Sequence, residues 1–221
     1  AYLAYEQMLR ERNRMNFQDQ KLRPLTRLMQ SPQVIEQLRT RYDEVIIDEA
    51  QDISRLHALL IWCTLGPQTT LTLAGDDDQT IYEFRQASSV FLRDAARYFQ
   101  REFTTYLLNI NYRSPENILA PAQRLIAHNV ERIEKGVSSA RNTPGDVIVQ
   151  VASTPAERSN QVVAQVRTLE KQGFGWGEIG ILVPTNSQQS AFERALYRAG
   201  IRTKRNTGEN DKGGIIENAV E

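Results

Sequence analysis

The densest chemistry in the chain is a set of carboxylates, each following a short apolar run. Asp48 and Glu49 end Val45-Ile46-Ile47, and Asp76, Asp77 and Asp78 follow Thr70-Leu71-Thr72-Leu73-Ala74-Gly75. Adjacent carboxylates at the rim of a core repel each other and resist ionisation unless a cation or a set of donors compensates them. A hard ion such as Mg²⁺, which keeps several waters and shares phosphate oxygens, suits that need. One carboxylate can hold it while the neighbour orients and deprotonates an attacking water. The same residues have a plainer use as a solvated strand end, with Asp52 capping the next helix. Gln79 adds a neutral donor and acceptor able to sense a phosphate oxygen or a polarised water. Tyr82, Phe84 and Arg85 then alternate aromatic and basic character, a combination that stacks bases and holds a backbone phosphate, although aromatics so close together also serve cores. At Asn111-Tyr112-Arg113 a ring stands beside a guanidinium. An Arg entering from a second domain can stabilise charge on a transferring γ-phosphoryl group, or simply pair with an acidic residue.

The elements that must carry these tips are legible in the periodicity. Val45–Ile47 is a short β-branched run of the kind covered on both faces in a parallel sheet, and a helix over about 55–65 follows, with Asp52 or Ser54 as its cap. The unit repeats: a strand over 70–74 leads to a helix over 89–99, and a strand over 104–108 leads to a helix opened by Ser114-Pro115-Glu116 and running to about 129. Upstream, helices are expected over 1–17 and 34–39. Residues 131–145 are rich in Gly, Ser, Asn and charge and read as a linker or surface loop. Beyond them come a strand over 147–151, a helix over 156–172, a strand over 179–183 and a helix over 187–199 closed by Gly200. This alternation predicts an α/β fold with mainly parallel sheets, divided at the polar joint near residues 109–114 into domains 1–110 and 111–221. In open sheets of this kind ligands sit beyond the carboxyl ends of the strands, which is where the tips lie.

Composition narrows the classes. Of 221 residues, 40% are hydrophobic and 24% charged, an ordinary globular balance. Lys plus Arg number 27 and Asp plus Glu 27, so any polyanion site must be local, yet 22 of the basic residues are Arg, the forked phosphate and carboxylate binder. No apolar run is long enough to span a bilayer and no signal-peptide pattern opens the chain, so the cytoplasm is the expected location. Cys63 is the only cysteine, and His57 and His128 have no partners at ligand spacing, which argues against disulfides and zinc. Gly173, Gly175 and Gly177 lack the strand and capped helix of a dinucleotide fingerprint. The start without Met, inside a helical pattern, reads as an internal piece of something longer.

Taken together, Val45–Asp52, Ala74–Arg85 and Leu108–Ser114 resemble motifs II, III and IV of the UvrD/Rep superfamily 1 DNA helicases, in order and at the right spacing. Met15–Asp19 is similar to the segment before motif II, and Ile179–Asn186, Phe192–Leu196 and Ala199–Ile201 are similar to the early second motor domain. The resemblance implies two RecA-like domains that bind ATP between them and move 3′ to 5′ on single-stranded DNA, at a strand or a single/double-strand junction. Carried over by residue, Asp48 would hold Mg²⁺, Glu49 would act as the base, and Gln79 would couple the γ-phosphate to DNA. Tyr112 would stack on adenine and Arg113 would contact the γ-phosphate. Phe84 stands where the family usually has a Trp that stacks on a base, flanked by Tyr82 and Arg85. Gln86 replaces a common Gly and Ala50 a common Phe. The chain contains no G-x-x-x-x-G-K-[ST], so by itself it is expected to be inactive. Two other uses fit the same residues: a non-catalytic helicase-like remnant that binds DNA or protein, and an unrelated Mg²⁺-dependent phosphohydrolase.

Overall fold

A computed structural model of the chain describes residues 2–12, 14–16, 19–206 and 215–217. They form two compact units, residues 1–146 and 147–221.

In the first unit, α1 (Tyr2–Glu11), α2 (Asp19–Met29) and α3 (Pro32–Arg39) precede the first strand. Helix α2 forms although Pro24 lies inside it, where proline removes a backbone donor. Its start is fixed by a reciprocal pair: Asp19 N–H donates to Asn16 Oδ1 at 2.8 Å and Asn16 N–H donates to Asp19 Oδ2 at 3.4 Å. Of the motif-like segment 15–19, residues 17 and 18 lie outside the described residues.

Strands β1 (Glu44–Ile47) and β2 (Thr70–Leu73) pair in parallel, Ile47 opposite Leu73. Val45, Ile47, Leu71 and Leu73 turn toward α4 (Arg55–Thr64), α5 (Val90–Arg93) and α6 (Ala95–Phe99), where Ala50, Ile53, Phe91, Leu65, Ala95 and Phe99 are buried. The expectation of cover on both faces is corrected. Ile46 is 64% exposed and both strands alternate, because helices of this unit pack on one face only. Ser54 begins α4 with a capping box, its Oγ accepting from His57 N–H while His57 Nδ1 accepts from Ser54 N–H. The helix read over 89–99 is broken at Asp94, whose backbone leaves the helical region between α5 and α6.

Two further corrections concern strands. Residues 104–108 form none: Tyr106 and Leu108 are 83% and 94% exposed, and pairing begins only at β3 (Ile110–Asn111). It runs parallel to β4 (Ser138–Ser139), which lies inside the stretch read as a linker. Between them stands α7 (Glu116–Ile126), entered through Pro115. Residues 147–151 likewise form no strand, with Val149 and Val151 85% and 84% exposed. Apolar alternation marks strand propensity, but a strand forms only where another backbone answers its N–H and C=O groups.

The second unit is built on α8 (Pro155–Lys171) and α9 (Asn186–Arg198), capped by the side chains of Thr154 and Thr185. Val166, Ile179, Leu196 and Ile201 form its core. Strands β5 (Gly180–Leu182), β6 (Lys204–Asn206) and β7 (Ile215–Glu217) order as β5-β7-β6, all antiparallel, against the parallel pairing expected from the alternation. Gly200 closes α9 at φ +75, as its position implied. The polar stretch 202–214 lies partly outside the described residues. Mixed helices and strands with small parallel sheets in the first unit agree with an α/β class.

Candidate functional site

Parallel pairing of β1 and β2 brings their carboxyl ends side by side. The ladder continues past the strands, with Ala74 N–H donating to the Ile47 carbonyl and Ala50 N–H to the Ala74 carbonyl, both at 2.8 Å. Asp48-Glu49 and Gly75-Asp76 therefore leave the sheet together. Glu49 sits in the left-handed region at φ 52, ψ 44, a conformation that costs a non-glycine residue roughly 1–3 kcal/mol. The turn that follows, Ala50–Asp52, is a single 3₁₀ turn whose first two residues are buried.

Gln51, 2% exposed, ties the two tips together. Its Nε2 donates to Glu49 Oε2 at 2.7 Å, and its Oε1 accepts from Asp76 N–H at 3.1 Å. The Gly at 75 is required by this arrangement: a Cβ there would stand 2.6 Å from Gln51 Oε1 and 2.9 Å from Ala50 N. Asp48 Oδ1 accepts from Glu49 N–H at 2.9 Å. Both Asp48 and Glu49 are exposed, on the wall of a pocket of about 380 Å³ that also touches Asp52, Ile53, His57 and Ile61. Burial first, and the nearby Lys21 second, hold the His57 imidazole below its usual range, which suits its work as an uncharged cap acceptor.

The Asp76–Asp78 cluster resolves its charge differently from Asp48 and Glu49. Lys135 Nζ donates to Asp76 Oδ1 at 2.6 Å, lies 3.1 Å from Asp78 Oδ2, and makes a closer bond to Asp77 Oδ1. Arg132 Nη2 reaches Asp78 Oδ2 at 2.7 Å, and Ile133 N–H donates to Asp77 Oδ2 at 2.6 Å. The three carboxylates lie close enough to chelate an ion, but the ammonium already stands among them. Burial pushes the Asp76 carboxyl up, yet hydrogen bonds from Lys135 and Gln79 hold it below the ordinary range; burial likewise opposes the charge on Lys135, and the three Asp partners raise its pKa well above its usual value. Lys135, Arg132 and Gln51 were missed by sequence reasoning. The need of three consecutive acids for donors was the available signal, but nothing in the order of residues pointed to a loop more than fifty positions away.

Gln79 Nε2 donates to Asp76 Oδ2 at 2.8 Å, so Gln79, Asp76, Gln51 and Glu49 form one hydrogen-bonded chain across both tips. Tyr82 and Phe84 meet edge to face with ring centroids 6.0 Å apart, and Phe84 is 77% exposed, which excludes a core role for it. The side chain of Arg85 lies outside the described residues; its backbone is part of the 3₁₀ turn Glu83–Arg85. Tyr112 is 74% exposed. Asn111 Oδ1 accepts from the N–H groups of Arg113 and Ser114 at 2.9 and 2.8 Å, and Arg141 Nη1 donates to the Arg113 carbonyl at 2.9 Å. The structure thus joins Glu49 and Gln79 through their partners. Among the described residues, no hydrogen bond or ion pair joins Tyr112 or Arg113 to that chain.

Comparison with known proteins identifies the family. Residues 1–100 match the sequence model of the UvrD/REP helicase N-terminal domain, and residues 106–209 that of the UvrD-like helicase C-terminal domain. The chain belongs to the UvrD-like helicase family. Among its relatives, the ATP-dependent DNA helicase UvrD1 of Mycobacterium tuberculosis is 30% identical over 92% of this chain and 27% of its own length. The ATP-dependent DNA helicase PcrA of Staphylococcus epidermidis is 28% identical over 91% of this chain and 27% of its own. The putative ATP-dependent DNA helicase YjcD of Bacillus subtilis is 29% identical over 90% and 26%. The chain thus spans about a quarter of the length of these relatives. Within this UvrD-like chain the two family halves meet between residues 100 and 106, just before Tyr112 and Arg113.

Proposed function

We propose that the chain is the middle of an ATP-dependent 3′ to 5′ DNA helicase or translocase, joining the later part of a first RecA-like domain, to residue 110, with the early part of a second, from residue 111. The observation that carries the reading is the hydrogen-bonded chain Glu49–Gln51–Asp76–Gln79, which couples a carboxylate able to act as a base to an amide able to sense phosphate. Asp48 and Glu49, exposed and adjacent beside an open pocket, fit a hydrated Mg²⁺ far better than Asp76–Asp78, which already enclose an ammonium. Asp48 would hold that ion, whose charge offsets the β- and γ-phosphate oxygens when ATP is bound. Glu49 takes a proton from the attacking water, its carboxylate aimed by Gln51. Gln79 orients on the γ-phosphate and relays its presence through Asp76. Arg113 approaches the same phosphate from the second domain, and Tyr112 stacks on the adenine. Phe84 stacks on a base of single-stranded DNA, with Tyr82 supporting its edge and Arg85 near the backbone. The chain by itself, holding no phosphate-cradling G-x-x-x-x-G-K-[ST], turns over little ATP.

The complete protein tests this reading. ATP hydrolysis stimulated by single-stranded DNA, with unwinding of duplexes carrying a 3′ tail and not a 5′ tail, is expected. Unwinding from 5′ tails alone would overturn the polarity, and hydrolysis indifferent to DNA would overturn the motor.

A further inference from the structure

The second unit carries a strongly basic concavity that the motor site does not use. A pocket of about 770 Å³ is lined by Glu193, Arg194, Tyr197, Arg198, Arg202 and Arg205, together with Ile201 and Thr203. Four guanidiniums face one carboxylate. Glu193 is claimed by Arg205, which reaches it through Nε at 2.6 Å and Nη2 at 2.5 Å, and those bonds hold the Glu193 carboxyl below its ordinary range. Arg194, Arg198 and Arg202 are exposed, and among the described residues no carboxylate lies within salt-bridge distance of any of them. Arg194 adds a longer-range attraction to Glu193, so four guanidiniums share one carboxylate and the concavity keeps an excess of positive charge.

The local geometry selects among anions. Arg194 and Arg198 stand one helical turn apart on α9, with Tyr197 between them on the same side. Arg202 follows the Gly200 turn and lines the same pocket. Tyr197 is 76% exposed, so its ring presents a bare face at the pocket rather than filling the core. A row of planar forks spaced along an open groove, with an aromatic ring among them, matches a polymer of phosphates carrying flat bases better than a compact anion or a lone carboxylate. A chain of phosphates meeting several guanidiniums also releases its condensed counterions, a gain a single carboxylate does not offer.

We propose that this pocket is a phosphate-binding subsite for single-stranded nucleic acid, in which Arg194, Arg198 and Arg202 each contact a backbone phosphate and Tyr197 stacks on a base. The proposal rests on the DNA-motor reading for the identity of the strand, but it concerns residues to which that reading gives no role.

The test is the salt dependence of binding of a labelled oligothymidine by the 221-residue chain, followed by fluorescence anisotropy. Each phosphate contact contributes about 0.7 to the slope of log K against log salt on a single strand. Replacing Arg194, Arg198 and Arg202 together by Gln is expected to reduce the slope by about 2, and each single Arg→Gln change by about 0.7. The triple Arg→Lys variant keeps the slope, because the charges remain. Tyr197→Ala weakens binding at every salt concentration with the slope unchanged. An unaltered slope in the single and triple Gln variants, while Phe84→Ala still weakens binding, overturns the subsite and leaves the motor reading standing. Loss of slope in the Lys variant as well overturns phosphate recognition in favour of a structural role. If the wild-type chain binds no oligothymidine at low salt, the subsite fails together with the DNA reading.

Discussion

Replacing Lys135 by Met removes the charge at the centre of the acidic cluster while keeping the length of the side chain. Its ammonium is 15% exposed and serves Asp76, Asp77 and Asp78 at once, of which Asp77 and Asp78 are 2% and 11% exposed. After the substitution, the Ile133 amide and Arg132 still serve Asp77 and Asp78, but three carboxylates that lie within 4.8 Å of one another are left to repel. Removing one partner from a buried ionic group costs about 3–5 kcal/mol, and the 40% exposure of Asp76 puts this case near the lower end, about 3 kcal/mol. Such a loss lowers the thermal midpoint of a domain this size by roughly 6–12 °C. The dependence on pH fixes the mechanism. Asp76 is held below its ordinary value, so its contribution is present at neutral pH and is lost as pH falls through its lowered folded pKa. Lys135 is held above its ordinary value, so its contribution persists through the neutral range and fades only in strong alkali. The stability difference between wild type and variant is therefore expected to be largest near neutrality and to shrink as pH falls below about 4, measured by urea denaturation across pH. A Lys135→Met chain with an unchanged midpoint at pH 7, or one whose deficit stays constant into acid, would refute the argument.

Gly75→Ala forces a Cβ against Gln51 Oε1 and the Ala50 backbone, and is expected to destabilise the first unit by about 1–3 kcal/mol in denaturant titrations. Gln51→Ala frees the Glu49 carboxylate and the Asp76 amide, so hydrolysis in the complete protein should fall while ATP affinity, read by equilibrium binding, stays near wild type. Phe84→Trp places an indole at a 77% exposed position, and its fluorescence should be quenched by single-stranded DNA; Phe84→Ala should weaken that binding by about 1–3 kcal/mol. His57, held below its usual pKa, supports α4 as a neutral acceptor, so the stability it supplies is present above about pH 6.5 and is lost as pH falls below it. In His57→Ala that acid-side loss should disappear from the pH profile of the thermal midpoint.

Much of the site could be read from the sequence because strand tips in α/β proteins announce themselves: an apolar run stops and charge begins. The parallel neighbours β1 and β2, the Ser54 cap and the Gly200 turn all follow from local chemistry, and the structure forms them. The non-local part was not legible. Lys135 and Arg132 lie in a stretch whose composition says loop, and only the folded chain reveals that it supplies the counter-charge for Asp76–Asp78. The runs at 104–108 and 147–151 have strand composition without a pairing partner, which composition cannot report. Exposure of Ile46 was likewise hidden, since a β-branched triplet reads the same whether one face or two are covered.

At the paired strand tips, we propose, Glu49 takes the proton of the attacking water. Single-turnover ATP hydrolysis by the complete protein carrying Glu49→Gln, with nucleotide binding measured alongside, tests it most directly. Nearly unchanged ATP affinity and a hydrolysis rate lower by roughly 10²-fold or more are expected. Hydrolysis at the wild-type rate with the glutamine in place would contradict it.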